Sequence, residues 1–168
     1  MSSEVDPAGA IFSPCNRYRY TLWRRWLTGT GTCVFVMLNP STADASHDDP
    51  TVRRCIGFAK AWGFRELEVV NLFALRATDP REIYTACDPI GRDNTWILMT
   101  QCKLASFIVA AWGAHGEYQG RGAEVLRRLK EAGLTVHELG RTKAGHPKHP
   151  LYLSASTLPK PIPDGSSS

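Results

Sequence analysis

Residues 32–51 read TCVFVMLNPSTADASHDDPT, and the fold turns on how this stretch is divided. TCVFVML is a continuous apolar run rather than an alternating one, the pattern of a strand covered on both faces. It stops at Asn39-Pro40. Proline offers no backbone donor and keeps the preceding residue out of helical conformation, so Asn39 is presented from a stiff turn. The dipeptide either initiates that turn and nothing more, or it aims an amide at a ligand. Small and acidic residues follow, and then Asp49-Pro50. Asp49 suits an N-cap and Pro50 the first helical position, which predicts a helix over 50–62 that Gly63 stops.

The same strand pattern recurs in LEVVNLF (67–73), FIVAAWG (107–113) and LTVHELG (134–140). Helical patterns lie between them. One begins near Asp93 and carries Trp96, Ile97, Met99, Thr100 and Leu104; another runs through VLRRLKEAG (125–133), with Val125, Leu126 and Leu129 inward and Gly133 closing it. Buried strands joined through helices imply right-handed crossovers, hence an α/β fold in three α/β/α layers around a mainly parallel four-stranded sheet. RYRYTLWRRW (17–26) has a period of two and reads as an edge or leading strand. The Pro-, Ser- and Gly-rich ends, 1–12 and 159–168, are expected to be mobile, leaving one domain over 13–158. A chain of 168 residues suits one such domain.

Composition narrows the function. With 43% hydrophobic and 21% charged residues the chain reads as folded. No apolar stretch approaches the roughly 18–20 residues of a membrane span, and the N-terminus lacks the segments of a signal peptide, so the cytoplasm is the expected location. Five cysteines, odd in number and without a CxxC pair, are expected to be reduced thiols. The net charge of +4 permits a polyanionic partner, and basic residues gather at 17–26 and again in RTKAGHPKHP (141–150). A monomer without metal or cofactor is expected.

In open α/β sheets, ligand groups collect at the C-terminal ends of the strands. Here those ends carry Asn39, Asn71, the Trp112-Gly113-Ala114-His115 segment, and His146 to His149. Asn71 is a polar amide inside an apolar strand, and a buried amide left without partners costs roughly 1–3 kcal/mol. It either stitches a loop or reads a ligand, and its adjacent donor and acceptor match a nucleobase edge. The two His-Pro pairs either hold an imidazole to stabilise a leaving anion or form a stiff exit from the sheet. Zinc ligation by His146 and His149 is disfavoured without cysteine partners. WGAHGEYQG (112–120) has three glycines that would allow close backbone approach, though neither nucleotide-binding spacing is present. Asp44, Asp48 and Asp49 read as a cap and loop acids, with a metal site as the alternative. Arg53 and Arg54 either meet phosphates or are solvated.

As an ordered set, MLNPS, VVNLFALRAT, FIVAAWGAHG and HPLYLS resemble the motifs of the uracil-DNA glycosylase superfamily, over about residues 33–154. The chain is more similar still to a group of bacterial and phage proteins that share MLNPSTAD, NLFALRAT and HPLYL blocks and bring no established activity with them. The glycosylase resemblance implies hydrolysis of the N-glycosidic bond of uracil, or another deaminated base, in single- or double-stranded DNA. It implies that Asn71 bonds the flipped base's Watson–Crick edge, with Phe58 stacking on the base and Leu38 beside it. His149 would donate to the oxygen on which charge develops, a role for which His146 competes, and Asn39 would place the attacking water. Ser41 stands where the strictest uracil enzymes carry an aromatic that excludes the thymine methyl, which implies broad base selectivity. Arg53, Arg54 and Lys148 would meet the DNA backbone, and Leu151 or Tyr152 would wedge into the duplex. The iron-sulfur cysteines of some branches are absent. Two alternatives stand beside this: an enzyme of the same fold acting on free or modified nucleotides, and a nucleic-acid-binding module without catalysis.

Overall fold

The computed structural model describes residues 7–164. In chain order the elements are β1 (Ala8–Phe12), β2 (Arg19–Arg25), β3 (Thr32–Met37), α1 (Pro50–Ala61), β4 (Glu66–Asn71), α2 (Asn94–Leu104), β5 (Phe107–Ala110), α3 (Arg121–Glu131), β6 (Val136–Glu138) and β7 (Lys160–Pro161). They build one mixed sheet of seven strands in the order β1-β2-β4-β3-β5-β6-β7. The four apolar runs are the four parallel strands at its centre, β4-β3-β5-β6.

These strands are apolar throughout because both faces are covered. Val34, Val36, Val70, Ile108 and Val136 point to one side, where Leu98 and Cys102 of α2 and Val125 and Leu129 of α3 meet them. Cys33, Phe35, Leu67, Val69 and Val109 point to the other, against Val52, Cys55, Phe58 and Ala59 of α1. The helix α1 starts as its sequence requires, with the Asp49 carboxylate accepting from the Val52 N–H at 2.8 Å and Pro50 in the first turn. It ends before Gly63, whose φ of +85° is the left-handed conformation that glycine adopts at low cost.

Three strands go beyond the expected four, and all three pair antiparallel. The segment expected as an edge or leading strand, RYRYTLWRRW, supplies β2, which lies inside the sheet between β1 and β4. Residues 8–12, expected to be mobile, form the true edge on that side, and Lys160–Pro161 pairs with β6 on the other. The extreme ends, 1–6 and 165–168, fall outside the described residues. An apolar-run criterion finds strands buried on both faces, whereas AGAIF is short and buries only Gly9 fully, and both residues of KP are exposed. Helix α2 begins directly after Asp93, where its pattern was expected to start. Leu98 and Cys102 face the core, while Trp96 and Leu104 are 73% and 75% exposed. No helix among the described residues is long and apolar enough to cross a membrane.

Phe58, expected to stack on a base, lies instead in the core under α1. Its ring is stacked on Trp62 at a centroid distance of 5.3 Å, and Trp62 in turn meets Phe35 at 5.9 Å. Residue 58 faces the sheet because it shares a helical face with Val52, Cys55 and Ala59, which points it away from the rim. Phe58→Ala should therefore lower stability by about 3–5 kcal/mol, as for other large core truncations, read from urea unfolding midpoints.

Candidate functional site

Strands β3, β4 and β5 run in parallel and finish at the same rim, where a cavity of about 570 Å³ opens. Leu38, Asn39 and Ser41 line it from the end of β3, Asn71 from β4, Trp112 and Gly113 from β5, and His149, Leu151 and Tyr152 from the segment after β6. Asn39, Asn71 and His149 are thus brought to one hollow.

Asn71 sits at its floor. The side chain is fully buried, and neither its Nδ2 nor its Oδ1 finds a partner among the described residues. Alternation along β4 turns it toward the α1 side with Leu67 and Val69. Its backbone is pinned from the opposite side: the Asn94 Nδ2 donates to the Asn71 carbonyl at 2.8 Å and to the Leu72 carbonyl at 3.1 Å, and Arg121 Nε donates to the Leu72 carbonyl at 2.9 Å. The main chain around Asn71 is thus held firmly while its amide is left unbonded.

The Asn39-Pro40 pair serves both as a turn and as part of the site. Asn39 Nδ2 donates to the Ala77 carbonyl at 2.8 Å and to the Pro40 carbonyl at 3.0 Å, which ties the end of β3 to the segment after β4. With its donor committed, this amide offers its Oδ1 as an acceptor. His149 is polarised in the opposite sense. Its Nδ1 accepts from the Leu151 N–H at 3.2 Å, so the neutral ring carries its proton on Nε2 and presents a donor. Burial holds its pKa below the ordinary 6.5, with Asp49 acting in the other direction.

Two charged residues of the cavity lining were not expected there from the sequence. Asp49, taken as a cap, does cap α1, but it is also the one carboxylate among the residues lining the cavity. Arg19, taken as part of a basic stripe, is only 2% exposed and lines the cavity as well. A β-bulge puts it there. Thr21 pairs with Ile11 and Arg19 with Phe12, so Tyr20 is an extra residue on β2. Alternation from the inward Leu22 would otherwise turn Tyr20 toward α1 and Arg19 away from it. Instead Tyr20 stacks with Tyr18 beside Gly91, at the start of α2, and Arg19 reaches Ala43, whose carbonyl accepts from its Nη1 at 2.9 Å. Burial pulls its pKa down to about 10 against the opposing pull of Asp49. A bulge leaves no periodic trace in one sequence, although the RYRY alternation marked the segment.

Other expected site residues lie elsewhere. His146 turns away, its Nε2 3.4 Å from a Glu117 carboxylate oxygen, which leaves His149 and His115 as the imidazoles lining the cavity, the His115 Nδ1 lying 2.9 Å from the Tyr84 hydroxyl. Arg53 is exposed and bonds the Asp48 carbonyl, Arg54 lies 5.4 Å over the Phe58 ring, and Lys148 is exposed; none of the three lines the cavity. Tyr152 is 93% exposed at its mouth. Asp44 accepts from the Ser46 and His47 N–H groups and Asp48 pairs with Arg24, so both have local structural roles. The glycine of WGAHG serves packing: a Cβ on Gly116 would lie 2.1 Å from the Trp112 ring. All five cysteines are free thiols. Beside the cavity, and sharing Ser41, Ala77 and Thr78 with it, runs an open groove of about 710 Å³ that Arg17 and Arg76 help to line.

Fold and rim together define a mixed α/β protein with a cavity at its parallel strand ends, where polar groups are set among apolar walls. The chain belongs to a family described as "Protein of unknown function (DUF1643)", matched over residues 19–151, a span that runs from Arg19 to Leu151 of the cavity wall. Neither the curated proteins nor the solved structures include a match to it.

Two measurements test the site's energetics. Asn71→Leu keeps the side-chain shape without the unbonded amide, and it should raise stability by about 1–3 kcal/mol in urea unfolding; a lowered midpoint would mean that the amide is already satisfied. The depressed pKa of His149 means that the unfolded chain takes up a proton first. Stability tied to this ring is therefore intact above pH 6.5 and lost as the pH falls toward the lower folded value. His149→Gln should flatten the fall in the unfolding midpoint between pH 7.5 and 5.

Proposed function

We propose that this protein is a base-excision glycosylase of the uracil-DNA glycosylase kind, hydrolysing the N-glycosidic bond of a deaminated base in DNA and leaving an abasic site. The observation that carries the reading is the convergence of Asn39, Asn71 and His149 on one cavity, with the Asn71 amide buried and unbonded at its floor. A free donor and acceptor side by side match an N–H and a carbonyl on a base edge, and they do so only once the base has left the duplex stack.

Chemistry follows from the polarity of the other two groups. As the bond from C1′ to the base nitrogen breaks, its electron pair moves into the ring and charge builds on an exocyclic oxygen. The Nε2–H of His149 stabilises that charge, and a neutral imidazole serves better here than a cation that would hold the base after release. Water then adds to C1′. Asn39 Oδ1 orients the water but cannot take its proton, and Asp49 is the cavity carboxylate able to do so and to face the positive sugar. Leu38 and Trp112 give the pocket apolar walls. The groove carrying Arg17 and Arg76 continues from the cavity mouth and suits a phosphate chain, which favours a polymer over a free nucleotide.

The test uses end-labelled single- and double-stranded oligonucleotides containing uracil, hypoxanthine or xanthine, followed by alkaline cleavage. Strand breaks are expected with the wild type. His149→Ala and Asn71→Ala should slow them by about 10²- to 10³-fold, the usual cost of one preorganised donor. Asp49→Asn should slow them while keeping α1 capped, because asparagine is also a good N-cap. Intact oligonucleotides together with base release from free nucleosides would move the activity to nucleotides. Salt-sensitive binding without breaks would leave a binding module.

A further inference from the structure

The glycosylase reading uses Asn71, Asn39, His149 and Asp49 and leaves Arg19 without a task. Its guanidinium is 2% exposed, and only part of it is spoken for: Nη1 donates to the Ala43 carbonyl, while Nε is buried with no acceptor among the described residues. Anchoring the 41–49 loop would need no more than the Nη1 bond. The bulge at Tyr20 is what turns this side chain to the cavity side of the sheet, and bulges commonly re-aim a side chain beside a binding site. Two side chains lining one cavity, Asn71 and Arg19, therefore hold buried polar atoms that the described protein does not satisfy.

We propose that Arg19 is a specificity-determining residue of the cavity, its Nε–H donating to no protein acceptor because it donates to an oxygen of the occupant. The assignment rests on the base-pocket reading and sharpens it. Nδ2 of Asn71 and Nε2 of His149 each take one acceptor, and Arg19 asks for another. The preferred substrate class is then an oxygen-rich heterocyclic base, one that still has an oxygen to offer after the amide and the imidazole are met. Asp49 lies in the same cavity and supplies negative charge, so what Arg19 lacks is a hydrogen bond and not a counter-ion. A neutral oxygen suffices.

Calorimetric titration of the full chain with free bases tests this, using pairs that differ by one oxygen: uracil against 5-hydroxyuracil, and hypoxanthine against xanthine. In at least one pair the oxygen-richer base should bind the wild type about tenfold tighter or more, the usual size of a hydrogen bond to a charged donor. That advantage should fall below about threefold in Arg19→Met. Should that variant not fold, Arg19→Lys keeps the charge near Asp49 without an Nε and should show the same loss. Equal affinities within both pairs overturn the proposal, as does an advantage that survives in the variants. If bases bind in an Asn71-dependent way while Arg19 makes no difference, the assignment of Arg19 fails and the base pocket stands. If no base binds, both fall.

Discussion

The parallel pairing of β3 with β4 is the constraint on which the site depends. Its register sets Met37 against Asn71, and the ladder continues beyond the strands with the Leu72 N–H bonding the Met37 carbonyl at 2.9 Å and the Phe73 N–H bonding the Leu38 carbonyl at 3.0 Å. Side chains alternate along a strand, so a slip of one residue would turn Asn71 into the core beneath α2 and α3 and bring an apolar neighbour into the cavity. The slip is prevented twice. Each face of β4 has its own packed cluster, and the carbonyls at the strand's end are held by Asn94 and Arg121.

Around this frame the cavity departs from the rule that buried polar groups are bonded. On the far side of the same strand end, Asn94 and Arg121 donate to the main chain, while the Asn94 Oδ1 is buried without a partner among the described residues. On the cavity side, Asn71 and the Nε of Arg19 have nothing to bond. Natural sequences tend to break such rules where they meet a ligand.

Legibility in the sequence followed burial. The four central strands were readable because both faces are covered, which leaves uninterrupted apolar runs such as TCVFVML. The cap of α1 was readable because Asp49-Pro50 is a local signal. Asn39 and Asn71 stood out because each ends or interrupts an apolar strand pattern, and His149 because of its His-Pro pair. Strand β1 and strand β7 were not, since backbone pairing at a sheet edge asks little of side chains. Phe58 misled because an aromatic residue after a motif can face either way, and helical phase decides it only when the neighbouring core is known. Arg19 could not have been found by periodicity, because the bulge that aims it breaks the period.

The C-terminal segment has a consequence for how the molecule keeps to itself. An open β-edge is a template on which other chains can add. Beyond β6 the last pairing strand carries Pro161, flanked by Pro159 and Pro163, and the Ile162 N–H is spent on the Val136 carbonyl at 2.8 Å. Three prolines without N–H groups leave an incoming strand few donors to accept from, so the sheet is closed to edge-wise growth on this flank by residues that add almost nothing to its core.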